Sequence, residues 1–93
     1  MAINDGETLN YFLQWARADI VEHILSLCLT GATLDDFLDW MSVLSPTILK
    51  KYLFYLIDYD FILYNGQKQM YLVKDRGSEV LSAIMEEKVD KMH

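Results

Sequence analysis

A single cysteine among 93 residues excludes an internal disulfide, and Cys28, set among Ile24, Leu25, Leu27 and Leu29, reads as a small hydrophobe in a packed interior. No apolar run reaches the roughly 18 to 20 residues that a membrane span needs. The first residues carry Asp5 and Glu7 where a signal peptide carries lysines, so the expectation is a cytoplasmic protein without a membrane partner. No repeat, low-complexity tract or Pro/Gly/Ser linker divides the chain, which predicts one domain over 1–93. Absent as well are a zinc spacing of His and Cys, a phosphate-cradling glycine loop and a nucleophile elbow. His23 stands alone in a helical stretch, and Asp35, Asp36 and Asp39 lack the glycine-containing loop of a calcium site. Neither metal, cofactor nor enzymatic activity is expected.

Basic residues are scarce too. Eight lysines and arginines against fourteen acids give a net charge of −6, the wrong sign for contact with phosphate. Their distribution is uneven, however. Residues 45–77 hold Lys50, Lys51, Lys68, Lys74 and Arg76 against Asp58, Asp60 and Asp75, whereas residues 1–44 hold Arg17 against seven acids. The positive charge is thus concentrated in one stretch.

Apolar residues make up 53% of the chain and aromatics 13%, enough for a compact core in a small domain. Leu9, Phe12, Leu13, Ala16, Ile20, Ile24 and Leu27 recur at three- and four-residue steps, with Thr8 placed as a cap. The stripe fits one helix over 8–29 or two helices broken near Arg17. Gly31 supplies its stop. Thr33 then caps a short helix over 33–41 carrying Leu34, Phe37, Leu38 and Met41, with Asp35 and Asp36 in its first turn, where the helix dipole favours negative charge.

Ser45 as N-cap and Pro46 as first helical residue open a third helix over 45–59. At 100° per residue Leu49, Tyr52, Leu53 and Leu56 cluster on a core side, while Thr47, Lys51, Phe54, Tyr55 and Asp58 face outward. Phe61–Tyr64 and Gln69–Val73 favour strands, and the Asn65-Gly66 pair suits the positive φ angles of a tight hairpin turn within 61–73. Asp75-Arg76-Gly77 opens a last helix over 75–92, with a stripe of Leu81, Ile84, Met85, Val89 and Met92.

This order of helix, helix, helix, hairpin and helix, read with the residues themselves, resembles the winged helix-turn-helix family of small archaeal DNA-binding proteins. The likeness lies in Arg17 with Ile20, Ile24 and Leu25, in Leu44-Ser45 followed by Leu49-Lys50-Lys51-Tyr52-Leu53 and Leu56, in Phe61-Ile62, and in Tyr71 through Gly77. It spans roughly residues 17–85. The chain departs from the family's pattern where Lys74 replaces a threonine that typically caps the last helix and where Asp60 replaces a glycine that commonly precedes the first strand. Ile48, Phe54, Tyr55 and Tyr59 also fill outward positions that are often polar, and the last helix, of about 16 residues, is too short for a long coiled coil. The resemblance implies an α+β winged helix that binds double-stranded DNA as a transcription regulator or architectural protein. It also implies a homodimer, no catalysis and no cofactor.

On this reading Ser45 and Thr47 meet phosphate or base edges from the start of the third helix, and Lys50 and Lys51 hold the backbone or reach a guanine. Tyr55 lies on the same outward side. Asn65, Gln67, Lys68 and Gln69 form the polar tip of the wing. Tyr11, Phe12 and Trp15 from the first stripe, with Leu81, Met85 and Met92 from the last, are the expected dimer contacts. An alternative function for the same fold is a protein-interaction module that uses Trp40, Phe54 and Tyr55 as anchors.

Overall fold

The computed structural model describes Gln14, residues 16–40 and residues 44–91. Over these residues the chain is α+β, with four helices and a two-stranded antiparallel sheet in the order α1 (Ala18–Cys28), α2 (Leu34–Trp40), α3 (Pro46–Asp58), β1 (Ile62–Asn65), β2 (Met70–Val73) and α4 (Asp75–Lys91).

The first apolar stripe is not one continuous helix over 8–29. Arg17 is extended (φ −79°, ψ 127°), and α1 starts at Ala18. Two interactions hold this corner. The Arg17 backbone N–H donates to the Tyr52 hydroxyl at 3.0 Å, and its guanidinium pairs with Asp19 at 2.7 Å. Gly31, at φ +94°, ends α1 in the left-handed conformation that a side chain would disfavour. Thr33 then starts α2 through a reciprocal cap: its Oγ1 accepts from the Asp36 N–H at 3.2 Å, and its own N–H donates to Asp36 Oδ2 at 2.9 Å.

Helix α3 is built as its sequence dictates. Ser45 Oγ accepts from the Ile48 N–H at 3.2 Å, and Pro46 occupies the first turn, where no amide hydrogen is needed. Leu49, Tyr52, Leu53 and Leu56 are buried, as the 100° periodicity requires. Each of the three leucines stabilises the fold by roughly 1.5–3 kcal/mol through removal from water. They meet Val21, Ile24, Leu25 and Cys28 of α1, Phe37 of α2, Phe61 and Ile62 before and within β1, and Val80, Leu81 and Ile84 of α4 in a single core.

The hairpin differs from the expected tight turn. A two-residue Asn65-Gly66 turn would set Tyr64 opposite Gln67. Instead Asn65 pairs with Met70 and Tyr64 with Tyr71, which leaves residues 66–69 as a four-residue loop. The reason is the Asn65 side chain: its Oδ1 accepts from the backbone N–H groups of Gln67 and Lys68 at 3.0 and 3.1 Å, so the carboxamide organises a wider loop. The positive φ falls on Gln69 (+54°) and not on the Asn-Gly pair.

Among the described residues, one isolated bridge outside the hairpin ties it to the rest of the fold. Ala32 and Tyr71 exchange backbone hydrogen bonds at 2.9 and 2.7 Å, which fixes β2 against the loop between α1 and α2. At the other end of the hairpin Asp60 takes φ +69°, a left-handed position, and its carboxylate pairs with the Lys74 ammonium. Lys74 and Asp60, both departures from the family pattern noted in the sequence, are therefore partners of one another.

Candidate nucleic-acid interface

The N-terminal half of α3 presents Ser45, Thr47, Lys50 and Lys51 to solvent, and the hairpin loop presents Gln67, Lys68 and Gln69. Asn65 is half-buried, its carboxamide oxygen engaged in shaping the loop. Tyr55 does not stand free on the outward face. It is half-buried against the core, with its ring centroid 5.5 Å from Phe54 and 6.0 Å from Tyr59. Its position at the margin of the buried side, beside Tyr52 and Leu56, draws the ring inward and leaves Phe54 as the exposed aromatic of α3, at 64%.

The five basic residues of the 45–77 stretch do not form one ridge. Lys74 is held by Asp60, and the Arg76 guanidinium lies 5.7 Å from the centre of the Phe61 ring, a cation–π contact. Lys50, Lys51 and Lys68 remain exposed. Among the described residues neither Lys50 nor Lys68 has a carboxylate partner.

These two lysines border adjoining hollows. One, of about 440 Å³, is lined by Thr33, Leu34, Asp35, Tyr64, Lys68, Gln69 and Tyr71. The other, of about 240 Å³, is lined by Leu34, Lys50, Leu53, Phe54, Ile57 and Tyr71. Because Leu34 and Tyr71 belong to both, the hollows form one open groove between the start of α2, the outer side of α3 and the hairpin. Tyr71 is half-buried in its floor, edge-on to Phe37 at 5.6 Å and 4.8 Å from Tyr64 between ring centres. Burial, with Tyr64 and Cys28 alongside, pushes its phenol above the ordinary value, so the ring stays neutral.

Sequence reasoning placed Lys50, Lys68 and Gln69 at this surface and missed Tyr64 and Tyr71. Their pairing depends on the hairpin register, which the tight-turn reading set differently. The signal available was the equal spacing of the two tyrosines about a four-residue loop, with Asn65 as an organiser of the turn.

The expected dimer contacts divide. Leu81 is only 5% exposed and packs within the core of the single chain, because it lies on the side of α4 that meets α1, so it is corrected from interface to interior. Met85 is 50% exposed. Tyr11, Phe12, Trp15 and Met92 lie outside the described residues, and the side chain of Trp40 is likewise not described.

Among the described residues no group of His, Cys, Asp and Glu is arranged to hold a metal ion, and no helix is long and apolar enough to cross a membrane. Comparison of the chain with protein-family models and with curated proteins gave no match to either.

Proposed function

We propose that the chain is a winged helix-turn-helix domain that binds double-stranded DNA as a transcription regulator or architectural protein, with α3 as reader and the β1–β2 hairpin as wing. The observation that carries this reading is the pairing of charges. On an acidic chain, Lys50 of α3 and Lys68 of the hairpin loop are left without carboxylate partners among the described residues and border the same open groove. Thr47 and Lys51, exposed beside Lys50, supply further contacts to the backbone or to base edges. A homodimer, joined through the N-terminal segment and Met85, would present two such surfaces to two half-sites.

Titration of a duplex across salt concentrations tests the proposal. Neutralisation of two to three phosphates by Lys50, Lys51 and Lys68 gives a log–log slope of about −2 to −3. Lys51→Glu and Lys68→Glu should each weaken binding and flatten that slope by about 1. No binding to any duplex at low salt overturns the proposal.

A second reading has its own observation. Phe54 and Ile57 are both exposed on α3, about 60° apart around the helix and lining the same hollow, an apolar patch that suits a protein partner. Under that reading Phe54→Ala abolishes association with the partner and Lys68→Glu leaves it unchanged.

A further inference from the structure

The groove contains more aromatic surface than contact with a duplex requires. Phe54 and Tyr71 share the smaller hollow, and Tyr71 and Tyr64 share the larger, so three rings follow one another along its length in the order Phe54, Tyr71, Tyr64. A lysine borders each part: Lys50 beside Phe54, and Lys68 beside Tyr64.

In a duplex the base faces are stacked on one another, so a duplex can meet the hydroxyls of Tyr64 and Tyr71 but leaves the ring faces, and all of Phe54, without a partner. An unstacked base offers its π-face to any ring, whatever its sequence, while its phosphates need nearby cations. Rings in series with a lysine at either end, neither of them paired to a carboxylate among the described residues, match the second ligand. The platform is also held in place before any ligand arrives. Tyr71 is fixed by the Ala32 bridge and by Phe37, and Tyr64 faces it across the register, so little ordering remains to oppose binding. Asp35, on the wall of the larger hollow, carries a charge that repels phosphate and oxygens that suit an exocyclic amino group, so it favours a strand with its backbone toward the lysines.

We infer that this groove also binds unpaired bases of single-stranded DNA, by stacking on Phe54, Tyr71 and Tyr64 with Lys50 and Lys68 on the backbone; the assignment rests on the reading of these two lysines as phosphate contacts above and extends it from duplex to single strand. A fluorescein-labelled single strand of about 16 nucleotides and the duplex made from it are titrated by anisotropy against the wild-type chain, Phe54→Ala and Tyr64→Ala, with thermal melting to verify folding. The single strand is expected to bind at the lower protein concentration. Each ring deletion should weaken single-strand binding about tenfold and alter duplex binding less than about twofold. If Tyr64→Ala fails to fold, Tyr64→Leu keeps apolar contact with Tyr71 without the ring, and the same criterion applies. Duplex binding without single-strand binding overturns the inference and leaves the proposed function standing, as does single-strand binding indifferent to both ring deletions. Failure of both ligands to bind removes inference and proposed function together.

Discussion

At Gly77 local propensity and packing demand opposite residues. Alanine is the better helix former by about 0.5–1 kcal/mol, yet a Cβ on Gly77 would sit 2.1 Å from the Phe61 carbonyl oxygen and 2.7 Å from Val73 Cγ2. Backbone cannot yield as a flexible side chain does, because the Phe61 carbonyl already accepts from the Lys74 N–H at 2.9 Å. Packing wins, so Gly77→Ala is expected to lower the unfolding free energy by about 1–3 kcal/mol, read by urea denaturation. The thiol of Cys28 supplies a second test. Completely buried, it is pushed up to about 12 from an ordinary 9.0 by loss of hydration. Burial of the neutral thiol therefore contributes stability in full below about pH 9, and that contribution is lost as pH rises toward 12, since the unfolded chain ionises first. Denaturation at a series of alkaline pH values should show a steeper loss for the wild-type chain than for Cys28→Ala, and iodoacetamide should label Cys28 only when the chain unfolds.

Among the elements, α3 joins the folding argument to the functional one at Ser45. Its hydroxyl caps the helix, so Ser45→Ala should cost about 1 kcal/mol in stability, whereas Ser45→Asp keeps a capping oxygen and complements the helix dipole. If the helix start meets phosphate, the aspartate variant melts like the wild type but binds duplex more weakly; equal binding assigns Ser45 to capping alone. The buried side of α3 was legible in the sequence because four apolar residues at helical spacing admit one orientation, and Ser45-Pro46 marks its start without ambiguity. The Thr33 cap was legible for the same local reason. Where several interactions compete, the sequence was less informative. Asn65-Gly66 has the composition of a tight turn, but a side-chain hydrogen bond selected the longer loop, and with it the register that sets Tyr64 against Tyr71. The pairing of Asp60 with Lys74 joins residues 14 apart in the chain and had no periodic signature.

For the molecule as a whole, net charge was a poor guide to the surface. A formal −6 conceals a local arrangement in which some bases are held by their neighbours and others face solvent. The reverse error arose with apolar stripes: α4 carries one, but Leu81 is consumed by the core and Met85 is the described residue left outside it. If the chain dimerises, Met85 is where α4 contributes, and Met85→Asp should shift sedimentation equilibrium at micromolar concentration from dimer toward monomer. A wild-type monomer under those conditions removes the dimer from the proposal. The bridge between Ala32 and Tyr71 carries a consequence for signalling across the domain. Because the floor of the groove is a strand residue whose amide and carbonyl are both latched to the α1–α2 connection, occupancy of the groove and opening of that connection draw on one shared pair of bonds. A ligand resting on the Tyr71 ring would slow deuterium uptake at Ala32, on the far side of the latch, and a mutation that loosens the connection would be felt as weakened grip by a strand it never touches.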